Sequence, residues 1–138
     1  LYSERIAAED MGMYEDYPLG NLGRLQAEMF RAVRLVVDTG MHSKRWSRER
    51  AIDYMLSKTG MTEAEVTREI ERYVVWPGQA TAYKVGQIYM LRLRAMAEEK
   101  LGDQFDIREF HEMILMNGAM PLEILEESVT SWISSYGQ

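Results

Sequence analysis

The sequence predicts an all-α protein of about seven helices. Apolar residues recur at helical spacing along most of the chain, and no stretch alternates polar and apolar residues as a strand would. Several periodic stretches end at a glycine, and others begin at a residue type that caps helices. Because every connection between them is short, we predict a single all-α domain over residues 1–138.

Glycines and capping residues set the helix ends in the N-terminal half. Gly12 is expected to end the first helix in a left-handed conformation, and Gly40 is expected to end the second. Ser47 can cap the third helix, and Thr62–Glu65 has the sequence of a capping box for the fourth. The predicted helices cover residues 1–11, 21–39, 48–59 and 63–75.

Three further helices are predicted in the C-terminal half. Pro77 and Gly78 break the chain before a long helix, and Gly102 closes that helix. Asp106 is the expected cap of the next helix, and Pro121 suits the first position of the last one. The predicted helices cover residues 79–100, 107–117 and 122–134.

Composition excludes several classes of function. The net charge of −6 argues against a nucleic-acid partner, which a basic surface would bind. No apolar run approaches the roughly 20 residues of a membrane-spanning helix, so we predict no membrane insertion. The absence of cysteine excludes disulfides and thiolate metal sites. The chain opens on what reads as the middle of a helix, which leads us to expect a fragment of a longer protein.

The stretch Arg34–His42 places three chemically versatile side chains close together. Asp38 lies in the last turn of its predicted helix, where an anion opposes the helix dipole and needs a partner. Arg34 is one turn earlier on the same side, and His42 follows Gly40. Spacing alone leaves two interpretations open. One is a surface ion pair with a loop histidine, and the other is a polar cluster that faces a cleft.

The stretch Trp76–Gly86 is the second candidate for chemistry. A tight turn precedes the long helix, and Gln79, Tyr83 and Gly86 then fall on one side of it. Glycine inside a helix suggests that a backbone or a ligand approaches closely. Tyr83 could donate a hydrogen bond to a developing oxyanion, or it could be a core tyrosine with a satisfied hydroxyl. His111 is interpreted as structural, and no local pattern supplies three ligands for a catalytic zinc.

Several segments, in order and over nearly the whole chain, together resemble the C-terminal part of the bacterial family catalogued as domain of unknown function 885. They are Leu1-Tyr2-Ser3-Glu4, Leu22-Gly23-Arg24-Leu25-Gln26, Arg34 to His42, Trp46-Ser47, Trp76-Pro77-Gly78-Gln79-Ala80, Tyr83-Lys84-Val85-Gly86 and Asn117-Gly118-Ala119-Met120-Pro121-Leu122. That family in turn resembles helical zinc metallopeptidases of the oligopeptidase and thermostable-carboxypeptidase type. The resemblance implies that this chain is the C-terminal portion of a larger fold of that kind.

The resemblance implies a zinc ion in the full-length parent and none on this chain. Full-length members carry a His-Glu motif upstream of the part seen here, and a Glu-Gly-Trp segment follows it. The third zinc ligand would fall just before Leu1. A chain without the zinc-binding half is expected to be inactive by itself.

The resemblance also suggests roles for residues of this chain in hydrolysis of a peptide or small amide. Tyr83 would stabilise the tetrahedral intermediate, and His42 would bind the substrate or the same oxyanion. Arg34 would hold a substrate carboxylate or fix Asp38. Glu4 would lie near the metal without binding it. The predicted substrate-binding residues are Arg34, Asp38, Gln79 and Lys84.

A non-enzymatic function is the alternative, in which the chain is a helical interaction domain or a peptide-binding domain. In either case the main expected partner is the missing N-terminal half of the protein. Its absence should expose an apolar surface, so we expect a homodimer of the fragment or a loosely packed first helix.

Overall fold

The computed structural model describes residues 1–136, and within that range the chain is all-α, with seven α-helices and no strand. This confirms the predicted fold class. None of the described helices is long and apolar enough to cross a membrane. Two short 3-10 turns, Gln79–Thr81 and Gly102–Gln104, flank the fifth helix. The helices are α1 (Tyr2–Glu9), α2 (Pro18–His42), α3 (Arg48–Lys58), α4 (Glu63–Val75), α5 (Ala82–Leu101), α6 (Ile107–Met116) and α7 (Leu122–Ser135).

The chain divides into two compact units, one over Leu1–Val85 and the other from Gly86 onward. In the first unit, α2, α3 and α4 pack together around fully buried side chains, because each helix presents apolar residues at helical spacing on one face. Each fully buried Val, Ile or Met contributes roughly 1.5–3 kcal/mol. The buried residues of this core are Val33, Val37, Ala51, Ile52, Met55, Val66, Ile70, Tyr73 and Ala80.

An aromatic cluster centred on Phe110 forms part of the interior of the second unit. The Phe110 ring lies 6.1 Å, centroid to centroid, from both Phe105 and Trp132. These tilted arrangements are favourable for aromatic pairs. The buried Val129 of α7 and Leu93 of α5 complete the apolar interior of this unit.

The predicted caps are present in the structure. Ser47 Oγ accepts a hydrogen bond of 3.1 Å from the backbone N–H of Arg50. The Thr62 backbone N–H donates to the Glu65 carboxylate at 2.9 Å, and the reciprocal bond of the capping box is also formed. Gly12 has the left-handed φ of 65° that its position after α1 requires. Local sequence signals therefore place the starts of α3 and α4 correctly, whereas α1 ends at Glu9, three residues before Gly12.

The predicted end of α2 at Gly40 is wrong, because the helix continues through this residue to His42. Gly40 is buried, and a Cβ atom at this position would lie 2.6 Å from Cδ2 of the Trp46 indole. The backbone N–H of Trp46 also donates to the Gly40 carbonyl at 3.0 Å. Gly40 therefore serves a close approach by Trp46, and His42 lies in the last helical turn instead of in a loop.

Gly40→Ala is expected to destabilise the protein by about 1–3 kcal/mol, because the new methyl group overlaps the indole of Trp46. Gly23→Ala is the matched control in the same helix, since a Cβ there meets no atom within 4 Å. The control should raise stability by about 0.5–1 kcal/mol through helix propensity. Urea unfolding followed by circular dichroism measures both, and equal effects of the two substitutions would contradict this explanation.

Candidate functional site

Arg34, Asp38 and His42 are four residues apart, and so they follow one another along one side of α2. Arg34 and Asp38 are only 2% and 3% exposed. The interpretation as a surface ion pair with a loop histidine is therefore wrong. What the sequence could not show is which groups these side chains reach across the helix interface.

Asp38 binds the turn that precedes α5. Both of its carboxylate oxygens accept from the backbone N–H of Gly78 at 3.1 Å. Gly78 has a φ of 82°, a left-handed conformation that favours glycine and that starts the 3-10 turn. No ion pair between Asp38 and Arg34 occurs in residues 1–136, so the local pairing suggested by their spacing is not formed. The anion that opposes the dipole of α2 is satisfied by Gly78.

The guanidinium group of Arg34 lies among aromatic rings. Its central carbon is 5.5 Å from the ring centroids of Phe30 and Tyr73 and 5.0 Å from that of Tyr83. Such distances allow favourable cation–π interactions. Nη2 donates to Gln79 Oε1 at 3.3 Å, whereas the buried Nε has no hydrogen-bond partner in the described part of the chain.

Burial lowers the pKa of Arg34, and the like charges of Arg31 and Arg72 lower this pKa further. Arginine is so basic that the group nevertheless remains protonated at neutral pH. The interior of this unit therefore holds a positive charge that no carboxylate of the described residues binds directly.

A polar network joins Arg34 to α4. Gln79 Oε1 accepts from Arg72 Nη1 at 2.9 Å in addition to Arg34. Arg72 forms an ion pair of 2.7 Å with Glu69, whose Oε2 also accepts from the Tyr73 hydroxyl at 2.7 Å. Burial and this hydrogen bond to Glu69 raise the pKa of Tyr73. Gln79, a predicted substrate-binding residue, thus uses its side-chain carbonyl to bridge two arginines.

His42 connects the last turn of α2 to the end of α4. Its Nε2 lies 2.9 Å from the backbone carbonyl oxygen of Tyr73. A carbonyl oxygen only accepts, so Nε2 must carry the proton in this contact. The contact explains a histidine at this position without reference to a substrate.

Tyr83 and Lys84 begin α5 and face different partners. The Tyr83 side chain is 49% exposed, and its ring lies 4.6 Å from the guanidinium carbon of Arg31 as well as close to Arg34. Lys84 Nζ forms an ion pair of 2.7 Å with Glu28, and this hydrogen bond lowers the pKa of Glu28. The structure thus brings Tyr83 and Arg34 together, while Lys84 binds a carboxylate of α2.

Two other predicted features stand apart from this cluster. The Glu4 side chain is 63% exposed and lies 3.2 Å from the backbone amine of Leu1. A Cβ at Gly86 would meet no described atom within 4 Å, so no backbone of the described residues makes the predicted close approach, and approach by a ligand stays a prediction. The helical spacing between Tyr83 and Gly86 did not show which side of α5 another segment of the protein covers.

The sequence interpretation missed Arg31, Arg72 and Glu69, which surround the predicted site residues. Arg31 precedes Arg34 by three residues, a spacing that places both on neighbouring positions of one helix surface. That spacing was the available signal. The sequence contained no such signal for Arg72 and Glu69, since their contact with the site depends on how α4 packs against α2.

These features define an all-α module organised around a buried arginine and a buried aspartate. Residues 1–129 match the family described as bacterial protein of unknown function (DUF885), and the chain belongs to this family. The resemblance identified from the sequence motifs is thereby confirmed at the level of the family.

The chain is also similar to a crystal structure of the putative lipoprotein from Colwellia psychrerythraea. The two share 56% sequence identity with a TM-score of 0.93, over 97% of this chain and 23% of that one. This chain therefore spans about a quarter of the length of that relative. A search of curated proteins found no match.

Asp38→Ala is expected to lower the free energy of unfolding by about 2 kcal/mol, because it removes the buried carboxylate that accepts the hydrogen bonds from the N–H of Gly78. Asp53→Ala, at an exposed position of α3, removes the same charge and should change stability by less than about 0.5 kcal/mol. Denaturant unfolding of both variants tests this. A similar loss in both would show that the Gly78 contact is unimportant.

Proposed function

We propose that the full-length protein is a hydrolase related to helical zinc peptidases, and that this chain supplies one wall of its substrate cleft. The support is the chain-long resemblance together with one observation. The ring of Tyr83, half exposed, is held against the guanidinium groups of Arg31 and Arg34. A phenol in this position is available to a ligand and has positive charge beside it.

The residues of this chain do not fit a zinc site. No group of three or more His, Asp or Glu side chains within residues 1–136 is arranged to hold a metal ion. Zinc in the full-length protein would therefore need ligands from outside this chain, and we assign no step through it here.

Tyr83 is the residue that we assign to catalysis. Its hydroxyl would donate a hydrogen bond to the carbonyl oxygen of a bound peptide or amide, where negative charge develops during hydrolysis. Contacts with two arginines fix the ring before the substrate arrives, which reduces the cost of ordering it. The role predicted for Glu4 near the metal remains part of this proposal.

The geometry favours a positioning role for His42 over a catalytic one. Its Nε2 proton is directed at the Tyr73 carbonyl. Asp38 and Gln79 are likewise bound to protein groups, and they hold the turn that leads to Tyr83. We therefore propose that these three residues support the cleft wall without contacting the substrate. Lys84 remains a predicted substrate-binding residue, although its ion pair with Glu28 competes with that role.

The expected partner is the remainder of the longer protein, which we propose covers an apolar stripe on α2. The stripe consists of large apolar side chains that are 37–52% exposed although they share one helix face. Monomeric proteins seldom leave such a face uncovered. The residues of the stripe are Leu22, Leu25, Met29 and Val36.

Measuring the oligomeric state by light scattering tests whether the stripe is a contact surface. The isolated 138-residue chain should form a dimer through the stripe, and Leu25→Gln combined with Met29→Gln should return it to a monomer. Leu115→Gln, an equally apolar change at a site 76% exposed in the second unit, is the control and should leave the dimer intact. A monomeric unsubstituted chain at high concentration would contradict the proposal.

Tyr83→Phe in the full-length protein is expected to lower kcat for peptide hydrolysis by about 10²–10³-fold, since one oxyanion donor is lost. Tyr89→Phe, on the same helix, keeps the ring contact with Arg92 and should leave kcat unchanged. A peptide-cleavage screen with metal analysis provides the measurement.

A full-length protein that binds peptides and cleaves none of them, with or without added zinc, would refute the hydrolase proposal. The alternative of a non-enzymatic peptide-binding domain would then account for the same surface. Cleavage that is equally reduced by both tyrosine substitutions would instead refute the assignment of Tyr83.

A further inference from the structure

The guanidinium groups of Arg31 and Arg34 both lie against the ring of Tyr83, and no carboxylate of the described residues lies between them. Arg31 lies 4.6 Å from the Tyr83 centroid and 5.2 Å from that of Phe30. Within residues 1–136, neither arginine forms an ion pair, and Arg34 has a buried Nε with no hydrogen-bond partner. Two adjacent cations therefore share a half-exposed aromatic residue.

This arrangement contrasts with seven other arginines of the described residues, which bind acidic side chains directly. Such pairs are Arg5–Glu9, Arg24–Glu28, Arg48–Glu71, Arg72–Glu69, Arg92–Glu126, Arg94–Glu98 and Arg108–Asp106. Most of those pairs are at least partly exposed, where a missing partner would cost little. Arg34, by contrast, is 2% exposed, and an unpaired charge at a buried position is costly.

Within residues 1–136, no acidic side chain binds this charge directly. Glu69 is the acidic group that acts on Arg34 electrostatically, but its carboxylate is bound to Arg72 and to the Tyr73 hydroxyl. Asp38 is bound to Gly78. The positive charge at Arg31 and Arg34 is thus left for an external anion.

We propose that Arg31 and Arg34, both held against the Tyr83 ring, form a subsite for a carboxylate of a peptide ligand. Arg31 is only partly buried and would contact the carboxylate, while the buried Arg34, which also lies against the Tyr83 ring, adds positive charge. The choice of a peptide as the carrier of the carboxylate rests on the proposed function.

The donors at the subsite suit a carboxylate better than a phosphate. Both arginines lie in the middle of α2, away from the free N–H groups of a helix start. The N–H of Gly78 is already bound to Asp38. The remaining donors are planar guanidinium groups, and a two-oxygen planar anion matches such a group in bidentate fashion.

Calorimetric titration of the 138-residue chain tests the subsite with three probes. The first is acetyl-trialanine with a free terminal carboxylate, and the second is the same peptide as its amide. The third is acetyl-Ala-Glu-Ala amide, which carries its carboxylate on a side chain. The first two together show whether the carboxylate matters, and the third distinguishes a terminal from a side-chain source.

Arg31→Gln is the test variant, because Arg31 makes no hydrogen bond whose loss would unfold the chain. It should weaken binding of the carboxylate probe at least about tenfold, whereas Arg31→Lys should recover part of the affinity. Arg108→Gln removes the same charge from an exposed site of the second unit and should leave binding unchanged.

Equal binding of the amide and the free acid would overturn the proposal. So would equal weakening by Arg31→Gln and Arg108→Gln, or tighter binding of inorganic phosphate than of the carboxylate probes. Hydrolysis by the full-length protein is measured separately. Carboxylate binding without hydrolysis would refute the proposed function alone, and hydrolysis without Arg31-dependent binding would refute this subsite alone.

Discussion

The bond between the Asp38 carboxylate and the N–H of Gly78 is the contact on which the arrangement of the first unit depends. It joins the C-terminal part of α2 to a turn 40 residues further along the chain. Gly78 starts the 3-10 turn that leads into α5. The contact therefore fixes the positions of Gln79 and Tyr83 relative to α2. The remaining polar contacts of the site follow from that placement.

The second constraint is the buried charge of Arg34. Aromatic rings on several sides and one amide oxygen stabilise the guanidinium group, yet none of them neutralises it. Pairing Arg34 with Asp38 would have neutralised both and released the Gly78 turn. In the observed division, a backbone N–H binds the anion and the cation lies against Tyr83, which is the arrangement that the proposed carboxylate subsite requires.

The chain corresponds to about a quarter of a solved relative with 56% identity. In the proposed function, its exposed apolar stripe on α2 and its half-exposed Tyr83 are surfaces that contact the rest of a longer protein or its ligand. A fold of packed helices holds both on rigid elements. The packed core that makes this unit rigid would also fix the position of Tyr83 relative to the groups that the rest of a longer protein contributes to the site.

The sequence by itself determined the fold class, the helices, the caps at Ser47 and Thr62, and the family, because these depend on neighbours within a few residues or on motifs in order along the chain. The tertiary structure alone decided the partner of Asp38, the continuation of α2 through Gly40, the open surroundings of Gly86 and the pairing of Arg31 with Arg34 around Tyr83. Local spacing predicted Arg34 as the partner of the Asp38 carboxylate, but the backbone N–H of Gly78 binds this carboxylate instead. Such choices depend on contacts between distant residues, which helical periodicity does not encode.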